Sequence, residues 1–329
     1  MKAAYYDQVG AAGQVLKVGE VQTPLPGPGE VRVRIAFSGL NPSDIKGRGG
    51  FKGAMAYPRV IPHQDGAGII DAVGEGVAQS RLGERVWVFE AQTGRAFGTA
   101  AEFVVLPTDR AIALADEVSL EQGASLGISA LTAHRCLFAD GDLRDKKVLV
   151  HGGAGVVGRS AIQLAKWAGA WVVTTIRHER DRETAQASGA DLVVNMREDD
   201  VPSRVMAATD NTGVDRIVEV DLASNLKLDM ACLARGGTVS AYSVEAPDTA
   251  VSIPVLKAMV NCWVVRFILV YTMPEEAKRA AIRDVTACLA AGSYKPFVGQ
   301  VFSLEQIAQA HDALDARNVK GHMLIRVSD

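Results

Sequence analysis

The run Lys147-Val-Leu-Val-His-Gly-Gly-Ala-Gly-Val-Val-Gly158 limits what this chain can fold into more than any other stretch. A short apolar segment enters a turn in which Gly153, Gly155 and Gly158 have G-x-G-x-x-G spacing. A helix-patterned segment, Arg159 to Trp167, follows at once. Strand, tight turn and helix N-terminus in that order offer unpaired backbone N–H groups and a positive dipole end to a pyrophosphate. The spacing gives Gly153 the turn, Gly155 the close approach of a phosphate, and Gly158 the packing of helix on strand. Ala154, Val156 and Val157 complete the backbone cradle. The motif alone is weak evidence; with its flanking strand and helix it predicts a bound dinucleotide.

The end of the next strand chooses between dinucleotides. That strand reads Trp171-Val-Val-Thr-Thr175, and an NAD site carries an Asp or Glu about 20 residues beyond the glycines. Here Thr174, Thr175 and Ile176 lead to Arg177, with Arg180 and Arg182 close behind. An acid would repel a 2′-phosphate, whereas a guanidinium holds one by paired, charge-assisted hydrogen bonds. NADPH is the expected cofactor, bound by Thr175, Arg177 and Arg180. Arg182, beside Glu179, Asp181 and Glu183, reads instead as part of a solvated helix start.

Composition excludes several classes. The 329 residues, 48% hydrophobic and 22% charged, can bury a large core in about two domains. A net charge of −3 gives no footprint for nucleic acid or a membrane surface. No apolar run reaches the ~20 residues of a membrane span, and the N-terminus is patterned as a strand rather than a secretion signal. The four cysteines, Cys136, Cys232, Cys262 and Cys288, are far apart and read as small buried hydrophobes. The expected location is the cytoplasm.

The first ~120 residues show short β-patterned runs separated by turns, such as Val31 to Ile35 and Arg85 to Phe89, without strand–helix alternation. They predict a mainly antiparallel β domain. Strand candidates at 147–151, 171–175, 191–195, 214–220, 237–242 and 263–270 then alternate with helical segments, predicting a doubly wound parallel sheet. The expected division is 1–122 with 273–329 for one domain and 123–272 for the dinucleotide domain. The last strand, 263–270, is apolar for an edge. An uncovered apolar edge invites pairing, so a homodimer through it is expected.

Over its whole length the chain resembles the medium-chain dehydrogenase/reductase superfamily, most closely its zinc-free quinone-oxidoreductase branch. Gly39-Leu-Asn-Pro-Ser-Asp44, Ile61 to Gly68, Asp71 to Val77, Gly98 to Val104, Leu131-Thr-Ala133 and His151 to Gly158 carry the resemblance. It implies a GroES-like catalytic domain beside the Rossmann domain. The positions of the zinc ligands found elsewhere in the superfamily match Asn41, Gln64 and Ile128. None is a good zinc ligand, so no metal is expected. Hydride transfer from NADPH to a quinone, enone or other electron-poor acceptor remains feasible, because such an acceptor spreads the incoming charge itself.

The resemblance places Asn41 at the nicotinamide and substrate and retains Asp44; these are the candidate catalytic residues. Their structural alternatives are a turn before Pro42 and a helix cap. Thr132 is implied near the nicotinamide, and Tyr242 and Ser243 follow a strand at the carboxyl end of the sheet. A tyrosine that relatives carry after the Asn41 motif is missing. Lys46, Lys52 and Tyr57 are its weak substitutes. Two other functions stay open: reduction of an enoyl thioester, with Arg48, Lys52 and Arg59 as a basic entrance, and a non-catalytic NADPH-binding sensor or structural protein.

Overall fold

The computed structural model describes residues 1–51, 53–317 and 319–328. The chain divides into two compact units, Met1–Ile128 with Pro296–Asp329, and Ser129–Lys295. The strands of the first stretch are β1 (Lys2–Tyr5), β2 (Lys17–Glu20), β3 (Glu30–Leu40), β4 (Asp65–Val73), β5 (Arg85–Val88), β6 (Phe103–Pro107) and β7 (Ala111–Ala113). Strand β3 organises this unit: it pairs antiparallel with both β4 and β6. Its alternation Val31, Val33, Ile35 points one face into a core shared with Ile70, Val86, Val88, Val104 and Leu106.

The second unit carries β8 (Lys147–Val150), β9 (Trp171–Ile176), β10 (Leu192–Asn195), β11 (Val214–Glu219), β12 (Leu233–Ala241) and β13 (Val264–Phe267). Among the described residues they form one sheet in the order β10-β9-β8-β11-β12-β13. Every neighbouring pair is parallel. The chain runs outward from β8 to β9 and β10, then crosses to β11 on the other side. The topological switch point therefore lies between β8 and β11, where open α/β sheets bind ligands at the strands' carboxyl ends. Helices connect the strands, including Val156–Trp167, Val201–Ala208 and Leu222–Cys232. Pro202 sits in the first turn of its helix, where its missing N–H costs nothing.

The chain returns to the first unit with β14 (Val298–Ser303) and β15 (His322–Arg326), the latter antiparallel to β3. The expected divisions after 122 and after 272 both fall earlier than the observed ones. The helix Glu275–Ala290 belongs to the second unit, where it buries Ala281, Val285 and Cys288. Beyond it, Tyr294 Oη lies 2.6 Å from Ser160 Oγ, and Lys295 N donates to Gln163 Oε1 at 2.7 Å. These bonds tie the segment to the helix after β8. A helical pattern in sequence shows that a face will be buried, not which neighbour buries it.

Cys136, Cys232 and Cys288 are buried, as their type suggests; Cys262 is exposed. The edge strand is shorter than expected, ending at Phe267 where a run to 270 was predicted. No helix of the described residues is long and apolar enough to cross a membrane.

Candidate functional site

The glycine turn follows β8 at the switch point. Gly155 caps the helix Val156–Trp167 in extended conformation, and no side chain caps that helix end. The first intrahelical bond runs from Arg159 N to Gly155 O, at 2.9 Å. The N–H groups of Val156, Val157 and Gly158 therefore have no partner within the helix, as the first turn dictates. An uncapped helix end with three available donors fits a pyrophosphate.

The glycines divide the work differently from the sequence expectation. Gly152, not Gly153, takes the left-handed backbone of the turn, with φ +69°. A Cβ on Gly153 would lie 2.0 Å from Thr174 Oγ1, so this glycine is required by the close approach of β9. A Cβ on Gly158 would lie 2.2 Å from Gly152 O, so this glycine is required by the close approach of the helix start to the turn. The fold holds the turn from β9: Gly153 N donates to Thr175 O at 3.0 Å, and Gly152 N to Thr175 Oγ1 at 3.3 Å.

At the end of β9, Arg177 is exposed and makes no ion pair with any described residue. Arg182 is bound to Glu179 and also donates to Val193 O at 2.9 Å. Arg182, expected as part of a solvated helix start, is held by these bonds, whereas Arg177 is not. Arg180 is exposed close by. Thr132 is buried in the helix Gly127–Phe138, and its hydroxyl bonds to no described residue, so it does not bond back to its own turn. Tyr242 and Ser243 follow β12 directly, and Tyr242 N donates to Glu219 O at 3.1 Å.

In the first unit Asn41 precedes the helix Pro42–Arg48, and its Nδ2 donates to Asp65 Oδ2 at 2.8 Å. Asp65 also accepts from Ile128 N at 3.0 Å. Both side chains are buried, and burial pushes the Asp65 carboxyl up to about 7. Asp44 is the third residue of its helix and accepts from Asn41 N at 2.7 Å. Burial raises this carboxyl well above its ordinary value. Asp44 thus closes the helix start from inside the first turn, rather than capping a helix begun at Ile45. The Asn41 backbone N–H is held by Asp44 while its side-chain amide reaches Asp65.

The positions that hold zinc elsewhere in the resembling superfamily do not form a donor set here. The Gln64 side chain accepts from Gln92 N at 3.1 Å and Thr93 Oγ1 at 3.0 Å; Ile128 offers only its backbone. His63 bonds to Ser38 Oγ at 2.7 Å and to His311 Nε2 at 3.0 Å, so its ring is engaged within the core. Among the described residues, the one group of three metal-competent side chains that comes together is His151, Glu219 and Asp229, in the other unit.

Comparison with known proteins resolves the family. Residues 27–116 match the alcohol dehydrogenase GroES-like domain and residues 156–287 the zinc-binding dehydrogenase domain. The rat quinone oxidoreductase is 30% identical over 318 residues, covering 95% of this chain and 94% of that protein. The pig quinone oxidoreductase is 28% identical over 315 residues, covering 95% and 94%. The chain belongs to the quinone-oxidoreductase branch of the medium-chain dehydrogenase/reductase superfamily. The crystal structure of Escherichia coli quinone oxidoreductase complexed with NADPH superposes with a TM-score of 0.84, at 25% identity over 99% of this chain and 100% of that one. Quinone oxidoreductase from Pseudomonas syringae gives 0.85 at 26%, covering 99% of both chains.

As a member of this branch the protein is an oxidoreductase that uses a nicotinamide cofactor, for which the uncapped helix end is suited. Other sequence candidates are not brought to such work. Arg48 is buried and donates to Gly10 O, and Arg59 pairs with Asp7 at 2.7 Å, so a basic entrance for a thioester carrier is not assembled from them. Tyr57 Oη donates to Gly94 O at 2.6 Å, and the Lys46 ammonium sits over the Phe51 ring. Lys52 lies outside the described residues. Asp65 was not singled out from sequence as the buried partner of Asn41. Asp65 is 24 residues from Asn41, and nothing local signals their bond.

Proposed function

We propose that the protein is a zinc-independent, NADPH-dependent reductase of quinones or other electron-poor carbonyl and alkene acceptors, working in the cytoplasm as a homodimer. Arg177 carries the choice of cofactor: an exposed guanidinium without an ion pair among the described residues, at the strand end where an acid would select NAD. Arg180 stands beside it, and the N–H groups of Val156, Val157 and Gly158 hold the pyrophosphate. Thr132, Tyr242 and Ser243 serve the same cofactor, and the buried Thr175 serves it by holding the glycine turn through Gly152 N.

Bound there, NADPH supplies a hydride. The chain's own contribution is to bind, orient and donate hydrogen bonds. A primary amide has two N–H donors, and Asn41 spends one on Asp65. The second is free to stabilise negative charge developing on the acceptor oxygen, and Asp44 fixes the backbone from which it projects. An acceptor that delocalises charge needs no Lewis acid, and Asn41, Gln64 and Ile128 supply no ligand set for one. An acceptor screen following NADPH absorbance tests these points together. Quinones and enones should be reduced, NADH should serve at least about tenfold less efficiently, and a chelator should change nothing. Failure to oxidise NADPH with any such acceptor sinks the reading.

A further inference from the structure

Directly beneath the glycine turn lies a buried polar cluster to which the proposed reaction assigns no role. His151, the residue after β8, places Nε2 2.9 Å from Asp229 Oδ1 and 3.4 Å from Glu219 Oε2. Its Nδ1 lies 3.0 Å from Thr175 Oγ1, the hydroxyl that accepts from Gly152 N. All three ionisable side chains are nearly inaccessible, at 2% for His151 and 0% for Glu219 and Asp229. Glu219 Oε1 accepts from Asn225 Nδ2 at 3.0 Å and from Asp221 N. Glu219 Oε2 and Asp229 Oδ2 have no hydrogen-bond partner among the described residues. Two carboxylates and one imidazole in a buried site are expensive unless they share protons. A fold that needed only to tie down Thr175 would not require both acids.

We propose that His151, Asp229 and Glu219 form a buried proton-holding support that positions the cofactor turn through Thr175 and sets its grip on the cofactor phosphates by the charge it carries. These are positioning residues; none touches the cofactor in this scheme. With neutral imidazole the bonds run in one direction: Gly152 N–H to Thr175 Oγ, Thr175 O–H to Nδ1, and Nε2–H to Asp229. Each proton gained makes the cluster less negative beneath a turn that binds a polyanion, so affinity falls as pH rises. Burial pushes Glu219 up to about 7. For His151 burial acts downward, but the Asp229 hydrogen bond and the two acidic charges outweigh it and raise the imidazole. The other groups that act on the cluster are Arg177 at the end of β9, Asp221 after β11, Cys232 on the helix of Asp229, and Tyr242 after β12.

The inference rests on cofactor binding at the glycine turn, and its test separates the two. Dissociation constants for NADH, which lacks the titrating 2′-phosphate, are measured by fluorescence on the full chain from pH 6 to 8.5. The wild-type constant should rise about threefold or more across pH 7, and the Glu219→Gln/Asp229→Asn variant should show a flat profile. Thr175→Val, which keeps the shape and removes the hydroxyl, should weaken binding about three- to tenfold at every pH, and Thr175→Ser should restore it. Matching pH profiles in wild type and the double variant, or wild-type affinity in Thr175→Val, overturns the inference. The Thr175 pair decides the matter if the double variant fails to fold. Absence of NADH and NADPH binding by the wild type at any pH would overturn the cofactor site itself.

Discussion

At the scale of single side chains, the proposed choice of NADPH rests on Arg177. Arg177 was conspicuous in sequence because an arginine stood where an acid is usual, and the fold leaves it exposed while tethering Arg182. Arg177→Ala should raise the KM for NADPH about 10- to 100-fold, the equivalent of ~1.5–3 kcal/mol for a charge-assisted contact, and leave that for NADH unchanged. Steady-state kinetics with both cofactors checks it; equal effects on the two would count against a 2′-phosphate contact. Gly158 was equally legible, but its reason is now specific: a Cβ would stand 2.2 Å from Gly152 O. Gly158→Ala should cost about 1–3 kcal/mol of stability and abolish measurable cofactor binding, read by denaturant titration and calorimetry. Asn41 was also marked in sequence, but its partner Asp65 was not, since that pairing depends on how β4 lies beside the end of β3.

At the scale of elements, the β13 edge stands out. One side of β13 pairs with β12, and no described strand covers the other. Phe267 on β13 is 70% exposed, and the helix Val255–Asn261 shows Val255, Leu256, Met259 and Val260, with Leu256 at 75%. So many large apolar side chains left in water on adjacent segments mark an interaction surface. The periodicity predicted the apolar strand but not the helix that joins it, because the helix contributes only after the chain has folded back. Phe267→Lys combined with Leu256→Glu should convert the proposed homodimer to a monomer with retained secondary structure. Light scattering after size-exclusion chromatography would show it; a dimer persisting in the variant would move the interface elsewhere.

Over the whole molecule, buried ionisable groups in both units give stability a predictable pH profile. Burial lowers His63 well below its ordinary value, His311 to about 3 and His322 to about 4. Below pH ~6.5 the unfolded chain binds protons that these folded histidines refuse, so each removes up to about 1.4 kcal/mol per pH unit as pH falls. Asp65 and Glu219, raised to about 7, act oppositely: the folded chain holds their protons where the unfolded chain does not. Their contribution is present at low pH and is lost as pH rises through 7. Asp44, which burial also raises, acts with these two acids, so three acids stand against three histidines and the sets roughly offset each other between pH ~4.5 and 6.5. Above 6.5 the histidines are neutral in both states and the acids alone act. Unfolding free energy should therefore be nearly level to pH ~6.5 and then decline by about 1–3 kcal/mol toward pH 8, with Asp65→Asn removing part of the decline. Denaturant midpoints across pH check this; a rise in stability from pH 6.5 to 8 would reverse the assignment.

The sequence by itself determined the parallel sheet, the mainly antiparallel partner unit, the dinucleotide turn and the basic end of β9. Each is written in local signals: the β8 run into Gly153, Gly155 and Gly158, the alternation of Val31 to Ile35, and Arg177 directly after Ile176. Periodicity and turn chemistry act over a few residues, so they can be read from a few residues. Only the tertiary structure decided that Gly152 turns the chain, that the helix Glu275–Ala290 belongs with the second unit, and that Asn41 meets Asp65. It also decided that His151, Glu219 and Asp229 share one buried site, although 78 residues separate His151 from Asp229. Such groups are brought together by strand order and sheet register. The energy that holds them, the cost of burying charge without a partner, arises only once the surrounding elements have excluded water.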